Sequence, residues 1–161
     1  MKEKTKILVP LDGSELAENA LGEALTLGKA LKAEVTLLHV IPIPEDVIGQ
    51  GTTRISIDEQ WQARRDRALQ YPSAIRNRPK WSGGAAQAAV ESGNLAETIL
   101  DYCQRHDIDR IVMSTHGRNR LKLWALGSIA YKVVHAADRT IVPIRPRSDN
   151  MRSSRPLRKG F

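Results

Sequence analysis

A single cysteine, Cys103, stands among 161 residues. It excludes an internal disulfide, and with four scattered histidines it gives no Cys/His cluster at metal-ligand spacing. A reducing, cytoplasmic location is the expectation. Aromatic residues are only 4% of the chain, so the core has to be aliphatic. No apolar run approaches the roughly 18 residues that span a bilayer, and Ile7-Leu8-Val9-Pro10-Leu11 after the polar start is too short for a secretory segment. Acid is also scarce: 25 Lys and Arg face 18 Asp and Glu, a formal charge of +7. The excess is local. From Arg145 onward six basic residues meet one acid, which leaves 19 against 17, or +2, for residues 1–144.

What is present suits one soluble domain. The chain is 41% hydrophobic and 27% charged, and its length supports one sizeable core but not two. Ile7 to Leu11 reads as a strand buried on both faces, closed by the turn Asp12-Gly13-Ser14. Ser14 is placed to cap a helix running to about Lys32, with Leu16, Ala20, Leu21, Ala24, Leu25, Leu27 and Leu31 as its apolar positions. Ala33 to Ile41 is a second strand, and the unit is a right-handed β-α-β crossover. Residues 42–56 read as a long connection, and 57–71 as a charged helix stopped by Pro72. The basic segment 72–84 fits no element. Ala85 to Val90 stands where a third strand belongs, yet its composition favours helix. After the turn Gly93-Asn94, a helix with Leu95, Ile99, Leu100 and Cys103 on one face ends near His106, before the strand Arg110 to Ser114. Gly127-Ser128 opens a last helix with Ile129, Val133 and Val134 inward, and Thr140 to Ile144 is the last strand. Five strands alternating with four helices imply an α/β, doubly wound, Rossmann-like parallel sheet over residues 1–146. Residues 147–161 read as a basic, disordered tail.

In open parallel sheets, ligands bind beyond the carboxyl ends of the strands where the winding reverses. Here those ends carry Pro10-Leu11-Asp12-Gly13, His39-Val40 and Met113-Ser114-Thr115-His116-Gly117. The pair Gly127-Ser128 lies at a helix N-terminus, where unpaired amides and the helix dipole favour phosphate. Spacing alone leaves two readings open, an anion site or a capped helix after a loop.

Ile7-Leu8-Val9-Pro10-Leu11-Asp12-Gly13-Ser14 and Ser114-Thr115-His116-Gly117-Arg118, with Leu126-Gly127-Ser128-Ile129-Ala130, resemble the two signature segments of the universal stress protein family, over residues 4–42 and 91–146. Its nucleotide-binding branch carries Gly-x2-Gly-x9-Gly-Ser/Thr. Here the pattern reads Ser114-x2-Gly117-x9-Gly127-Ser128, with only the first glycine replaced. The resemblance implies an adenine-nucleotide α-hydrolase-like sheet of order 3-2-1-4-5. It further implies ATP or a related adenine nucleotide, with Mg²⁺ as a companion ion, in a stress-response protein acting as a nucleotide-dependent regulator. Pro10, Leu11, Asp12 and Val40 would flank adenine and ribose. Met113, Ser114 and Gly117 would shape the ribose-phosphate floor, Arg118 would neutralise phosphate, and the amides around Gly127, Ser128 and Ile129 would hold the phosphates. It also implies a homodimer through Thr140 to Ile144, a strand in which Pro143 removes a ladder donor. Residues 70–89 depart from the family's helix-then-strand pattern, which points to a diverged or damaged third strand.

Several of these residues have plainer readings. Asp12 can serve the strand-to-helix corner alone, His39 reads as a satisfied wall residue, and Cys103 as a small core residue. Ser114, His116 and Asp12 do not form a triad, because one strand end cannot supply nucleophile, base and carboxylate in line. No P-loop is present, so binding with at most slow hydrolysis is expected over fast turnover. The alternatives are a dimeric interaction module without nucleotide and, on the tail, an electrostatic nucleic-acid binder. No interleaved aromatics favour the latter, and no membrane association is expected.

Overall fold

The computed structural model describes residues 4–43, 54–81, 86–116 and 126–145. β1 (Lys6–Leu11) leads through Asp12-Gly13 into α1 (Glu15–Glu18) and α2 (Ala20–Leu31). The expected single helix is thus broken at Asn19, whose side-chain amide donates to the carbonyls of Glu15 (3.1 Å) and Leu16 (3.3 Å). A side chain that competes for helix carbonyls favours such a break. Ser14 is the cap, its hydroxyl accepting from the Ala17 amide at 3.1 Å, and Lys32 ends α2 in the left-handed conformation at φ 51°. β2 (Glu34–Ile41) follows.

α3 runs Arg54–Arg76, with Pro72 inside it. This corrects the expected stop at Pro72 and the expected loop up to residue 56. The ring of Pro72 is fully buried, as is Ile75 one turn on, so packing offsets the roughly 3 kcal/mol that an interior proline costs. A 3-10 turn, Pro79–Trp81, seats Trp81 in the same core.

β3 (Ala86–Ser92) is complete: seven consecutive residues pair in parallel with β2, from Ala86 opposite Val35 to Ser92 opposite Ile41. The third strand is therefore intact, against the expectation of damage. Its helix-favouring alanines are overruled because β2 supplies a ladder that isolated propensity does not include. α4 (Leu95–Arg105), β4 (Arg110–Ser114), α5 (Ser128–Ala136) and β5 (Thr140–Ile144) complete the chain.

The sheet has five strands in the order β3-β2-β1-β4-β5, every pair parallel. Strand alternation sorts its buried side chains into two aliphatic layers. Ile7, Val9, Leu11, Val35, Leu37 and Val112 pack against α1, α2 and the end of α3. Leu8, Leu38, Val40, Ile111 and Met113 pack against α4 and α5. Side chains buried this completely contribute about 1.5–3 kcal/mol each. The reversal point lies between β1 and β4, where the two windings begin.

Candidate functional site

The carboxyl end of β1 is built by one carboxylate. Asp12 Oδ1 accepts from the Ser14 amide at 2.9 Å and from the Ser14 hydroxyl at 2.6 Å, and Gly13 adopts φ 83°. Asp12 therefore does shape the corner, as the plainer reading held. Pro10, Val40 and Met113 share the α4/α5 face by alternation with Leu8, Leu38 and Ile111. Val40 and Met113 are buried, and Pro10 is half-buried.

Leu11 stands apart from them. Its side chain belongs to the opposite layer, and its carbonyl meets His39 Nδ1 at 2.9 Å. His39 is thus a satisfied wall residue, edge-on to Tyr71 with ring centroids 5.4 Å apart. Tyr71 in turn donates to Glu18 Oε1 (3.2 Å), while Arg78 donates to Glu18 Oε2 (2.8 Å). Burial foremost, then the charge and hydrogen bond of Glu18, hold the Tyr71 phenol well above its usual range. The bond to Glu18 likewise raises Arg78. This network ties α1 to α3 beside the site. Sequence reasoning missed it because Glu18, Tyr71 and Arg78 lie far apart in the chain and share no motif.

At the end of β4, Ser114 is buried, and its hydroxyl accepts from the His116 amide at 3.4 Å. By alternation it lies on the face of Val112, away from Met113. Thr115 links two elements through its backbone: its amide donates to Ile144 at 2.9 Å, and its carbonyl accepts from Gly127 at 2.8 Å. Gly127 precedes α5 at φ −57°, so its conformation is open to any residue. Proximity is what favours glycine, since a Cβ there would lie 3.1 Å from the Thr115 carbonyl oxygen, a tight contact to which the backbone would have to yield.

The Gly127 amide is thereby engaged within the chain. The α5 ladder starts with the Tyr131 amide on the Gly127 carbonyl at 2.8 Å. Helix geometry leaves the amides of Ser128, Ile129 and Ala130 without intrahelical acceptors. Gly117 and Arg118 lie outside the described residues. Among those described, no group of His, Cys, Asp and Glu could hold a metal ion, and no helix is long and apolar enough to cross a membrane.

In other open parallel sheets, a helix N-terminus held beside a strand end at the reversal point is a common place for phosphate groups to bind. The sequence pattern of the universal stress protein family matches residues 4–145. The chain belongs to this family. Universal stress protein Sll1388 of Synechocystis is 27% identical over 139 residues, covering 81% of this chain and 90% of that protein. The solved universal stress protein UspA of Lactobacillus plantarum superposes with a TM-score of 0.68 at 27% identity, covering 90% of this chain and all of that one. Two more distant family members share the fold and were solved with nucleotides. One is in complex with cAMP (14% identity, TM-score 0.62, 89% and 98% covered), and one from Archaeoglobus fulgidus is in complex with dAMP (20%, 0.57, 89% and 99%).

Proposed function

We propose that this universal stress protein binds ATP or a related adenine nucleotide in the crevice between β1 and β4 and acts as a nucleotide-dependent regulatory dimer in the cytoplasm. The observation that carries the reading is the seating of α5 on Thr115 by Gly127, which holds the first turn of α5, whose amides lack intrahelical acceptors, beside the carboxyl end of β4. Phosphate oxygens would meet the amides of Ser128 and Ile129, with Gly117 and Arg118 as their further partners. Adenine and ribose would lie along Pro10, Val40 and Met113, with Leu11 contributing only backbone. Asp12 would reach the ribose from the corner it shapes. The substitution of glycine by Ser114 is compatible with this, because that side chain is spent on His116. The cAMP and dAMP complexes of distant relatives support the ligand class. Mg²⁺ would be held chiefly by the phosphates, as it needs few protein carboxylates. The dimer would form through β5, the edge strand whose Ile141, Val142 and Ile144 are only half-buried.

Ser128→Glu separates binding from folding. A carboxylate in the first turn of α5 favours the helix dipole by about 0.3–1 kcal/mol, so the fold should be kept. The same charge occupies the phosphate position. Calorimetric titration with ATP and Mg²⁺ should show about one site per chain in the parent and at least tenfold weaker binding in the variant. Absence of saturable binding in the parent would replace this reading with that of an interaction module.

A further inference from the structure

A second concavity lies one strand away from the crevice, on the other side of the sheet. α3 and the ends of β2 and β3 enclose a cavity of about 110 Å³ lined by Ile41, Trp61, Gln62, Arg65, Val90, Glu91 and Ser92. Ile41 stands opposite Ser92, and His39 opposite Val90, so these side chains share a face. The edge contact between His39 and Tyr71 of α3 identifies it as the face that α3 covers. The cavity is thus a sheet floor of Ile41 and Val90 under a helical wall.

Its polar groups are unequal. The Glu91 carboxylate is drawn off by Arg105, at 3.4 Å. Trp61 is braced by the Arg64 guanidinium, 5.4 Å from its ring centroid, a contact of the cation-π kind. Arg65 is exposed and makes no ion pair among the described residues. In sequence it stands between Arg64 and Asp66, with Arg67 beyond, and the one acid in the cavity lining is the Glu91 already held by Arg105. The nearly buried Ile41 and Val90, one indole, a guanidinium with no ion pair among the described residues, and the polar groups of Gln62 and Ser92 thus converge on one small, half-open concavity.

From this arrangement we infer that the cavity takes a small carboxylic acid with a flat apolar body. The ring would lie between Trp61, Ile41 and Val90. Arg65 would take the carboxylate in the two-pronged geometry that guanidinium favours, with Ser92 and Gln62 donating to its remaining lone pairs. The volume is below the roughly 150 Å³ that holds a whole benzene ring, so the ring would enter only in part and the open side would leave the charged end at the surface.

The full chain, grown with 5-fluorotryptophan, has three tryptophans to report by fluorine NMR, and Trp61→Phe assigns the relevant signal. Benzoate should shift the Trp61 signal saturably and leave the signal of the buried Trp81 in place. Acetate, lacking the ring, and benzyl alcohol, lacking the charge, should not saturate. Arg65→Gln, at an exposed position, should fold normally and bind benzoate at least tenfold more weakly. The inference does not rest on the nucleotide reading, so Ser128→Glu should give the parent curve. It is overturned by no saturable shift, by an unchanged affinity in Arg65→Gln, by benzyl alcohol binding as well as benzoate, or by loss of the response in Ser128→Glu.

Discussion

Gly28 shows how far a single Cβ can decide packing. It lies in the last turn of α2, where alanine would raise helix propensity by up to about 1 kcal/mol. An added Cβ would sit 2.9 Å from Val35 Cγ2, and Val35 is itself buried in β2. Overpacking of that kind costs about 1–3 kcal/mol, so the clash outweighs the propensity. Gly28→Ala should lower stability by about 1 kcal/mol in urea unfolding, and a variant more stable than the parent would refute the close approach of α2 to β2. Cys103 makes the opposite point about chemistry. Burial pushes its thiol from 9.0 up to about 11, and only 2% of the residue is exposed. The neutral thiol's contribution to stability is therefore whole below pH 9 and is lost as pH rises through about 11. Native protein at pH 8 should react with iodoacetamide far more slowly than denatured protein. Fast native alkylation would contradict the burial. The apolar character of this residue was legible in the helical spacing, and so was the role of Ser14 as cap. The engagement of the Gly127 amide was not, since its acceptor, Thr115, belongs to another element.

Edges of the sheet carry the argument at the level of elements. Ile144 gives its carbonyl to Thr115, so in β5 the backbone groups of Val142 and Ile144 face β4, and those of Ile141 and Pro143 face outward. Pro143 therefore costs the β4–β5 ladder nothing. Its missing donor is subtracted from the open edge, where a partner strand would pair. Pro143→Val should leave the unfolding midpoint of the monomer nearly unchanged and strengthen self-association, read by analytical ultracentrifugation at several concentrations. Weaker association would argue against the β5 edge as the dimer contact. Thr115 adds a mechanical consequence, because it joins this edge strand to the start of α5 through two backbone bonds. Strands β1, β2, β4 and β5 were legible as short β-branched or apolar runs between turns. β3 and the end of α3 from Pro72 onward were not: alanines leave the choice of ladder to the neighbour, and the buried Pro72 is tolerated only because tertiary contacts hold its ring.

Charge belongs to the whole molecule. Residues 1–144 carry about +2 and the remainder +5 of the formal +7, so electrostatic attraction to polyanions should reside in the tail. Truncation after Arg145 should abolish salt-sensitive retention on heparin while the thermal midpoint and ATP titration stay as in the parent. Retention that survives truncation would move the attraction to the basic α3 face around Arg64, Arg65 and Arg67. The sequence by itself determined the α/β alternation, the corner Asp12-Gly13-Ser14, the placing of Gly127-Ser128 at a helix start and the aliphatic core. These are local signals: periodicity, caps and turns need only neighbouring residues to be read. Tertiary structure alone decided which side of the sheet each site residue faces. It turned Leu11 and Ser114 away from Pro10, Val40 and Met113, bound the Gly127 amide to Thr115, and assembled Trp61 and Arg65 over Ile41 and Val90. Those outcomes depend on register between strands distant in sequence, where a shift of one residue reverses every side chain.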